Sequence, residues 1–156
     1  MEINLDDLFH VPNAAQMVRV VIRICTAALL GGILGYERER ARKAAGLRTH
    51  MLVAVGCALF VLFPTESGMA QADLSRVIQG VATGIGFIGA GTILKRPDSG
   101  EVEGLTTAAN IWLTGAVGLA VGAGQLWLPI ISVTCALAIL SLFRRFSQPT
   151  DDRPHK

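Results

Sequence analysis

Charge is what this chain has least of. Asp, Glu, Lys and Arg make up 17% of its 156 residues, and segments 77–94, 105–122 and 126–143 contain none. A soluble helix shows one apolar stripe and one charged face, so these three segments do not belong to a water-soluble domain. The formal net charge of +2 leaves no global basic field to attract nucleic acid. Cysteine is scarce as well. Cys25, Cys57 and Cys135 all fall inside apolar segments. An odd number of thiols so placed argues for apolar packing, not for a disulfide framework or a zinc site. No nucleophile–base pair and no metal-ligand cluster is visible. His10, His50 and His155 are scattered between the amino-terminal segment, an interface and the tail. The expectation is a protein without enzymatic activity and without a cofactor.

What the chain has in abundance is long apolar runs. Mean hydropathy is +0.49. Five stretches stand out, at 18–36, 48–63, 77–94, 105–122 and 126–143. Each is close to the ~17–25 residues that a helix needs to cross hydrocarbon. The fold class expected is therefore an all-α membrane protein, a compact bundle of five transmembrane helices. The leader before the first run, MEINLDDLFHVPNAAQM, is acidic, and no small-residue cleavage pattern follows a short apolar core. It is not expected to be a signal peptide. The domain plan is a short external segment over 1–17, the five-helix domain over 18–146, and a short cytoplasmic tail over 147–156.

Glycine raises a separate question. GVATGIGFIGAGTIL matches G-x-G-x-x-G at Gly84, Gly86 and Gly89. A dinucleotide-binding turn must follow a strand and open a soluble helix. These glycines lie mid-span, and the nominal acidic match, Glu103, sits in the next loop. Small residues also let membrane helices approach closely. At 100° per residue, Gly80, Gly84 and Gly91 share one face, while Ala82, Gly86 and Gly89 lie on roughly the opposite one. A helix small on two faces is expected at the centre of the bundle. The competing reading is a locally unwound segment lining an ion path. Glycine pairs four apart recur at Gly31 and Gly35, and at Gly118 and Gly122.

The basic residues set an orientation. Arg38, Arg40, Arg42, Lys43 and Arg48 lie in the first connection, Lys95 and Arg96 in the third, and Arg144, Arg145, Arg153 and Lys156 in the tail. That leaves Arg19, Arg23 and Arg76 of the fourteen for the other side. The positive-inside rule then places the amino terminus outside and the carboxyl terminus in the cytoplasm.

Four places break the apolar rule. Arg19 and Arg23 lie one turn apart in the first span. Charge there costs roughly 2.5–3.5 kcal/mol mid-helix on insertion scales. Arg19 can snorkel. Arg23 sits deeper, where Asp73 or Glu66 could pair with it, the alternative being that both arginines snorkel. In YERERARKAAGLRTH, Arg40, Arg42 and Lys43 read as a solvated anchor. Glu37 is different, because a carboxylate at a helix C-terminus is disfavoured by the dipole. It is expected to pair with a cation, Arg48 being one candidate, or to mark a cation site; it is the one candidate metal ligand. In GLTTAANIW, Thr107, Asn110 and Thr114 form one polar stripe with Thr106 beside it, either interhelical glue or a pathway. Gln79 and Thr83 on the third helix could face that stripe. The candidate polar site thus comprises Arg23, Glu37, Arg48, Thr49, Thr106, Thr107 and Asn110, and the candidate packing residues are Gly80, Gly84, Gly86, Gly89 and Gly91.

Three blocks in order, GYERERARKAAGLRTHMLVAVGCALF, GIGFIGAGTIL and EGLTTAANIWLTGAVGLAVGAG, resemble the MgtC/SapB family of bacterial membrane proteins. They extend from about Arg23 to the fifth helix. The family usually has leucine where Tyr36 stands. The resemblance implies an inner-membrane protein of five spans, linked to growth under magnesium limitation and, in pathogens, to survival inside host cells. It implies regulation of other membrane machinery. Many members add a soluble domain after the fifth helix, and RRFSQPTDDRPHK is too short to be one. The expected function is thus a non-enzymatic module in the lipid bilayer of the inner membrane that contacts other membrane proteins. A homodimer is expected from the small faces. The alternative is an ion transporter or channel, with magnesium as one possible cargo. Magnesium takes one or two carboxylates and keeps several waters, and no acidic residue lies mid-span.

Overall fold

The computed structural model describes residues 12–97 and 100–146. Most of the expected external segment and the whole 147–156 tail lie outside the described residues. Five helices follow one another: α1 (Ala14–Arg40), α2 (Leu47–Glu66), α3 (Gln71–Ala90), α4 (Leu105–Gly122) and α5 (Trp127–Phe146). The all-α membrane bundle read from the sequence is the architecture observed. Three of the helices, α1, α2 and α4, are long and apolar enough to cross a membrane; α5 holds a shorter apolar stretch, Trp127–Leu142. Asp73 and Arg76 lie near the start of α3, which is not among the three.

Helix α1 begins four residues before the apolar run does. Asn13 caps it: its Oδ1 accepts from the Gln16 N–H at 2.8 Å, and the Gln16 Oε1 accepts from the Asn13 N–H at 3.0 Å. This reciprocal arrangement satisfies two backbone donors that a helix start leaves free. At 27 residues, α1 is about 40 Å long by its rise per residue, more than the ~30 Å of hydrocarbon.

A small hairpin was not anticipated in the third connection. Leu94–Lys95 (β1) pairs antiparallel with Val102–Glu103 (β2), Leu94 opposite Glu103 and Lys95 opposite Val102. The Arg96 guanidinium meets the Glu103 carboxylate at 3.0 Å on the exposed rim of this hairpin.

The core is built from α1, α2 and α4. Ala27, Leu30 and Leu34 of α1 meet Ala54, Ala58 and Leu62 of α2 and Val117 and Val121 of α4, with Val133 and Ala136 of α5 closing one side. Glycine decides how closely these helices approach. A Cβ on Gly31 would stand 2.6 Å from the His50 carbonyl oxygen, and one on Gly35 would stand 2.7 Å from the Leu47 Cα. A Cβ on Gly122 would lie 2.6 Å from the Ala58 carbonyl oxygen, and one on Gly118 would run into that of Ala54. Those neighbours are backbone, which cannot step aside as a side chain can. Helix α2 is thus clasped between the glycine faces of α1 and α4.

The position expected for α3 is corrected by this arrangement. A Cβ on Gly80, Gly84 or Gly86 would meet nothing within 4 Å, and α3 adds no residue to the main core cluster. Only Gly89 comes near another helix, 3.2 Å from the Ala108 carbonyl oxygen, while Gly91 sees its own chain at Ile88. The central place is taken by α2, because α1 and α4 have glycines in the register its backbone needs. Two-faced small residues made α3 able to be central without making it so. Gly84 and Gly86 also lie within continuous α-helix, and not in an unwound segment.

Candidate functional site

The buried polar residues gather toward the end of the bundle that carries the basic α1–α2 connection. On α1, the stripe Ala27, Gly31, Leu34 and Gly35 continues to Arg38, which is 3% exposed. The Arg38 Nε donates to the Glu37 Oε2 at 2.6 Å. A guanidinium in the last turn also suits the negative end of the helix dipole. Glu37 thereby has its cation from the adjacent residue. The pairing with Arg48 considered from the sequence is not made: Arg48 is exposed, and no ion pair of its own is found among the described residues.

On α2 the buried stripe runs His50, Ala54, Cys57, Ala58 and Val61. His50 is wholly buried. Its Nδ1 lies 2.9 Å from the Gly46 carbonyl oxygen one turn earlier, and its Nε2 is buried with no hydrogen-bond partner among the described residues. A buried polar atom without a partner costs about 1–3 kcal/mol. On α4, Thr107, Asn110 and Thr114 are 3%, 4% and 0% exposed. Gly118 stands at Ala54 and Gly122 at Ala58, and α2 and α4 run parallel. The same offset carried back along both helices sets Thr114 level with His50 and Asn110 level with Gly46.

The expected polar site is therefore divided. Thr107 and Asn110 are buried on α4, and Glu37 is half-buried on α1 beside Arg38. Thr106 is exposed and Thr49 is half-buried. Thr114 is no bridge, since its Oγ1 donates to the Asn110 carbonyl oxygen of its own helix at 2.8 Å. Gln79 and Thr83 are exposed on α3, bonded Thr83 Oγ1 to Gln79 O at 2.9 Å, and do not face the stripe. Arg23 lies at the opposite end. It reaches neither Asp73 nor Glu66; its Nη1 donates to the Gly122 carbonyl oxygen at 3.0 Å. That carbonyl is left free by the end of α4, and the helix dipole favours a cation there. The guanidinium lies so close to Gly124 that a Cβ would be 2.6 Å from its Nη2. Of the cysteines, Cys57 is buried as expected, while Cys25 and Cys135 are exposed on the single chain.

Arg38 and His50 were missed as members of the cluster. Both were legible: Arg38 falls at i+4 from Leu34 and i+7 from Gly31, and His50 at i−4 and i−7 from Ala54 and Cys57. The family of charged neighbours around Arg38 disguised it as part of a solvated anchor. The described residues contain no group of three or more His, Cys, Asp or Glu that could hold a metal ion.

Comparison with known proteins places the chain in a family. The MgtC family model matches residues 24–148, which include α1 from Ile24 onward and every later helix. SrpB of Synechococcus elongatus is 44% identical over 137 residues, covering 81% of this chain and 75% of that protein. YhiD of Escherichia coli strain K12, named as a candidate magnesium transporter, is 41% identical over 135 residues, covering 81% and 61%. MgtC of Salmonella typhimurium is 34% identical over 140 residues, covering 88% and 58%. The chain thus spans less than two thirds of the latter two. No solved structure matches it. With its bundle of apolar helices and a family match over most of its length, this chain is a membrane protein of the MgtC family.

Proposed function

We propose that this chain is a non-enzymatic module of the bacterial inner membrane, linked to magnesium-limited growth, that acts by contacting other membrane proteins, a second copy of itself included. The observation that carries this reading is the contrast between filled and unfilled glycine faces. Gly31, Gly35, Gly118 and Gly122 are covered by α2, whereas Gly80 and Gly84 are uncovered on α3. Small residues on a membrane helix permit close approach of a neighbour. The homodimer is therefore moved from the first and fourth helices, whose small faces are used within the chain, to α3. The amino terminus is proposed outside and the basic end in the cytoplasm, on the bias of the connections.

Transport is the second reading. YhiD's name supports it, as does the buried polar cluster with an unpaired His50 Nε2. The two readings part in liposomes that contain only this protein and a magnesium-sensitive dye. The contact reading expects no magnesium entry above that of empty vesicles, and a Gly84→Cys variant that cross-links in native membranes. Saturable magnesium entry in these liposomes would transfer the assignment to transport. Topology is read with single cysteines in a cysteine-free background: Ala44→Cys should label from the cytoplasmic side and Ser67→Cys from outside. The reverse pattern would overturn the orientation.

A further inference from the structure

Two helices, α2 and α4, start at the basic end, and they treat their free backbone donors differently. The start of α2 has an anion of its own: the Glu39 Oε2 accepts from the Leu47 N–H at 2.8 Å. The start of α4 has none. Its N-cap is Gly104, at φ 91, with no side-chain cap and no acidic residue in the first turn. A helix start left in this way presents N–H groups and the positive end of the dipole to an anion.

The space in front of this start is a cleft of about 560 Å³, lined by Arg42 and Lys43 from the α1–α2 connection, by Thr92, Gly104 and Thr107, and by Glu103. That volume is in the range of small-ligand sites. Thr107 is 3% exposed, and its hydroxyl makes no hydrogen bond among the described residues. Thr107 lines this cleft, so a group seated there can supply its hydroxyl with a partner. Glu103 opposes an anion, but its carboxylate is held by Arg96 at 3.0 Å.

The turn that carries Arg42 has two counterparts in the chain. Three helices end with the same paired backbone bonds. Gly68 N to Thr65 O and Met69 N to Pro64 O close α2; Gly124 N to Val121 O and Gln125 N to Ala120 O close α4; Arg42 N to Glu39 O and Lys43 N to Arg38 O close α1. The residue in the left-handed conformation is glycine in the first two cases and Arg42, at φ 54, in the third. Glycine takes that conformation without the steric cost that a Cβ incurs. Arg42 lines the cleft from this left-handed position.

We propose that this cleft is an oxyanion site for a phosphate group, borne either by a soluble phosphate compound or by an anionic phospholipid headgroup, with Arg42 and Lys43 as its cations, the Thr107 hydroxyl as a donor, and the uncapped start of α4 as its floor. Thermal unfolding of the full chain tests it in two arms. One titrates inorganic phosphate in detergent at matched ionic strength. The other compares nanodiscs of phosphatidylglycerol with nanodiscs of phosphatidylcholine. Saturable stabilisation in the first arm identifies a soluble ligand; stabilisation in the second alone identifies the headgroup. Arg42→Gly should unfold at the parent's temperature or above, yet bind the stabilising probe at least about tenfold more weakly. Thr107→Val should weaken it several-fold, and Glu103→Gln should tighten it. The proposal is overturned if neither probe stabilises the parent, or if Arg42→Gly and Thr107→Val respond as the parent does. Weaker binding by Glu103→Gln would overturn it as well, whatever the folding of the other variants.

Discussion

Helices α3 and α4 carry glycines at similar density, and the structure uses them in opposite ways. On α4, Gly118 and Gly122 sit against the backbone of α2, with Gly115 against Cys57 of α2 and Ile85 of α3. On α3, Gly80, Gly84 and Gly86 face open space. Lipid offers a membrane helix no hydrophobic reason to leave it, so close packing and hydrogen bonds must hold the helices together. Glycine contributes to that only where a neighbouring backbone is in register to fill the space it leaves. The same residue type is thus a buried contact in one helix and a vacant surface in the other. What separates them is the partner and not the motif.

The sharpest way to break this contrast is to fill both helices. Gly118→Leu drives a side chain into the Ala54 carbonyl and should prevent a stable bundle. Gly118→Ala adds one methyl against backbone, and overpacking of this kind costs about 1–3 kcal/mol. It should be visible as a lower unfolding temperature in detergent. A Cβ at Gly84 meets no atom within 4 Å, so Gly84→Leu should leave the fold intact or gain up to about 1 kcal/mol of helix propensity. If Gly84→Leu were as damaging as Gly118→Leu, the assignment of α2 as the clasped helix would be wrong. The proposed self-association adds a second readout. Cross-linking between copies through α3 should fall in Gly84→Leu while the unfolding temperature stays.

A smaller effect is expected at the far end of α4. Arg23 is half-buried, and its guanidinium donates to the Gly122 carbonyl oxygen. Arg23→Leu keeps the apolar stem and removes both the charged donor and the cation at the helix end. Losses of about 1–2 kcal/mol fit a hydrogen bond from a charged group. Arg23→Lys should recover only part, because a lysine lacks the planar fork. Loss of stability on replacing Asp73 or Glu66, equal to that of Arg23→Leu, would show that an acidic partner matters after all.

How much of this was legible in the sequence depended on whether the cause was local. Composition and run length decide whether a segment prefers hydrocarbon to water, so the helices and their order could be read directly. Basic clusters at helix ends could be seen too, yet Arg38 sits inside one and is buried. Helical spacing from Leu34 and Gly31 would have separated it from Arg40 and Arg42. The place of α3 was not legible, since the closeness of two helices depends on registers that no single segment contains. The same limit hid the Arg23 contact, which spans nearly a hundred residues of chain. The hairpin of the third connection escaped because two residues per strand are too few for an alternation to show.

The smallest effect bears on the polar stripe of α4. From the sequence, Thr107, Asn110 and Thr114 form one surface that could bind helices together. The structure assigns them unequal parts. Thr114 is wholly buried, but its hydroxyl donates to the Asn110 carbonyl oxygen one turn back. That oxygen is also the helix's own acceptor at this turn, so removing the hydroxyl leaves no backbone group alone. Valine has nearly the shape of threonine and carries no donor to satisfy. Thr114→Val should therefore change stability by no more than about 0.5 kcal/mol, below the usual cost of a lost hydrogen bond. Thermal unfolding of Thr114→Val beside Gly118→Ala, one turn away on the same helix, measures both contributions against the same neighbour. A loss at Thr114 equal to that at Gly118 would mean that the hydroxyl reaches α2 and that polar glue, rather than close backbone approach, joins these two helices. A loss confined to Gly118 would leave the glycine register as the cause of the clasp.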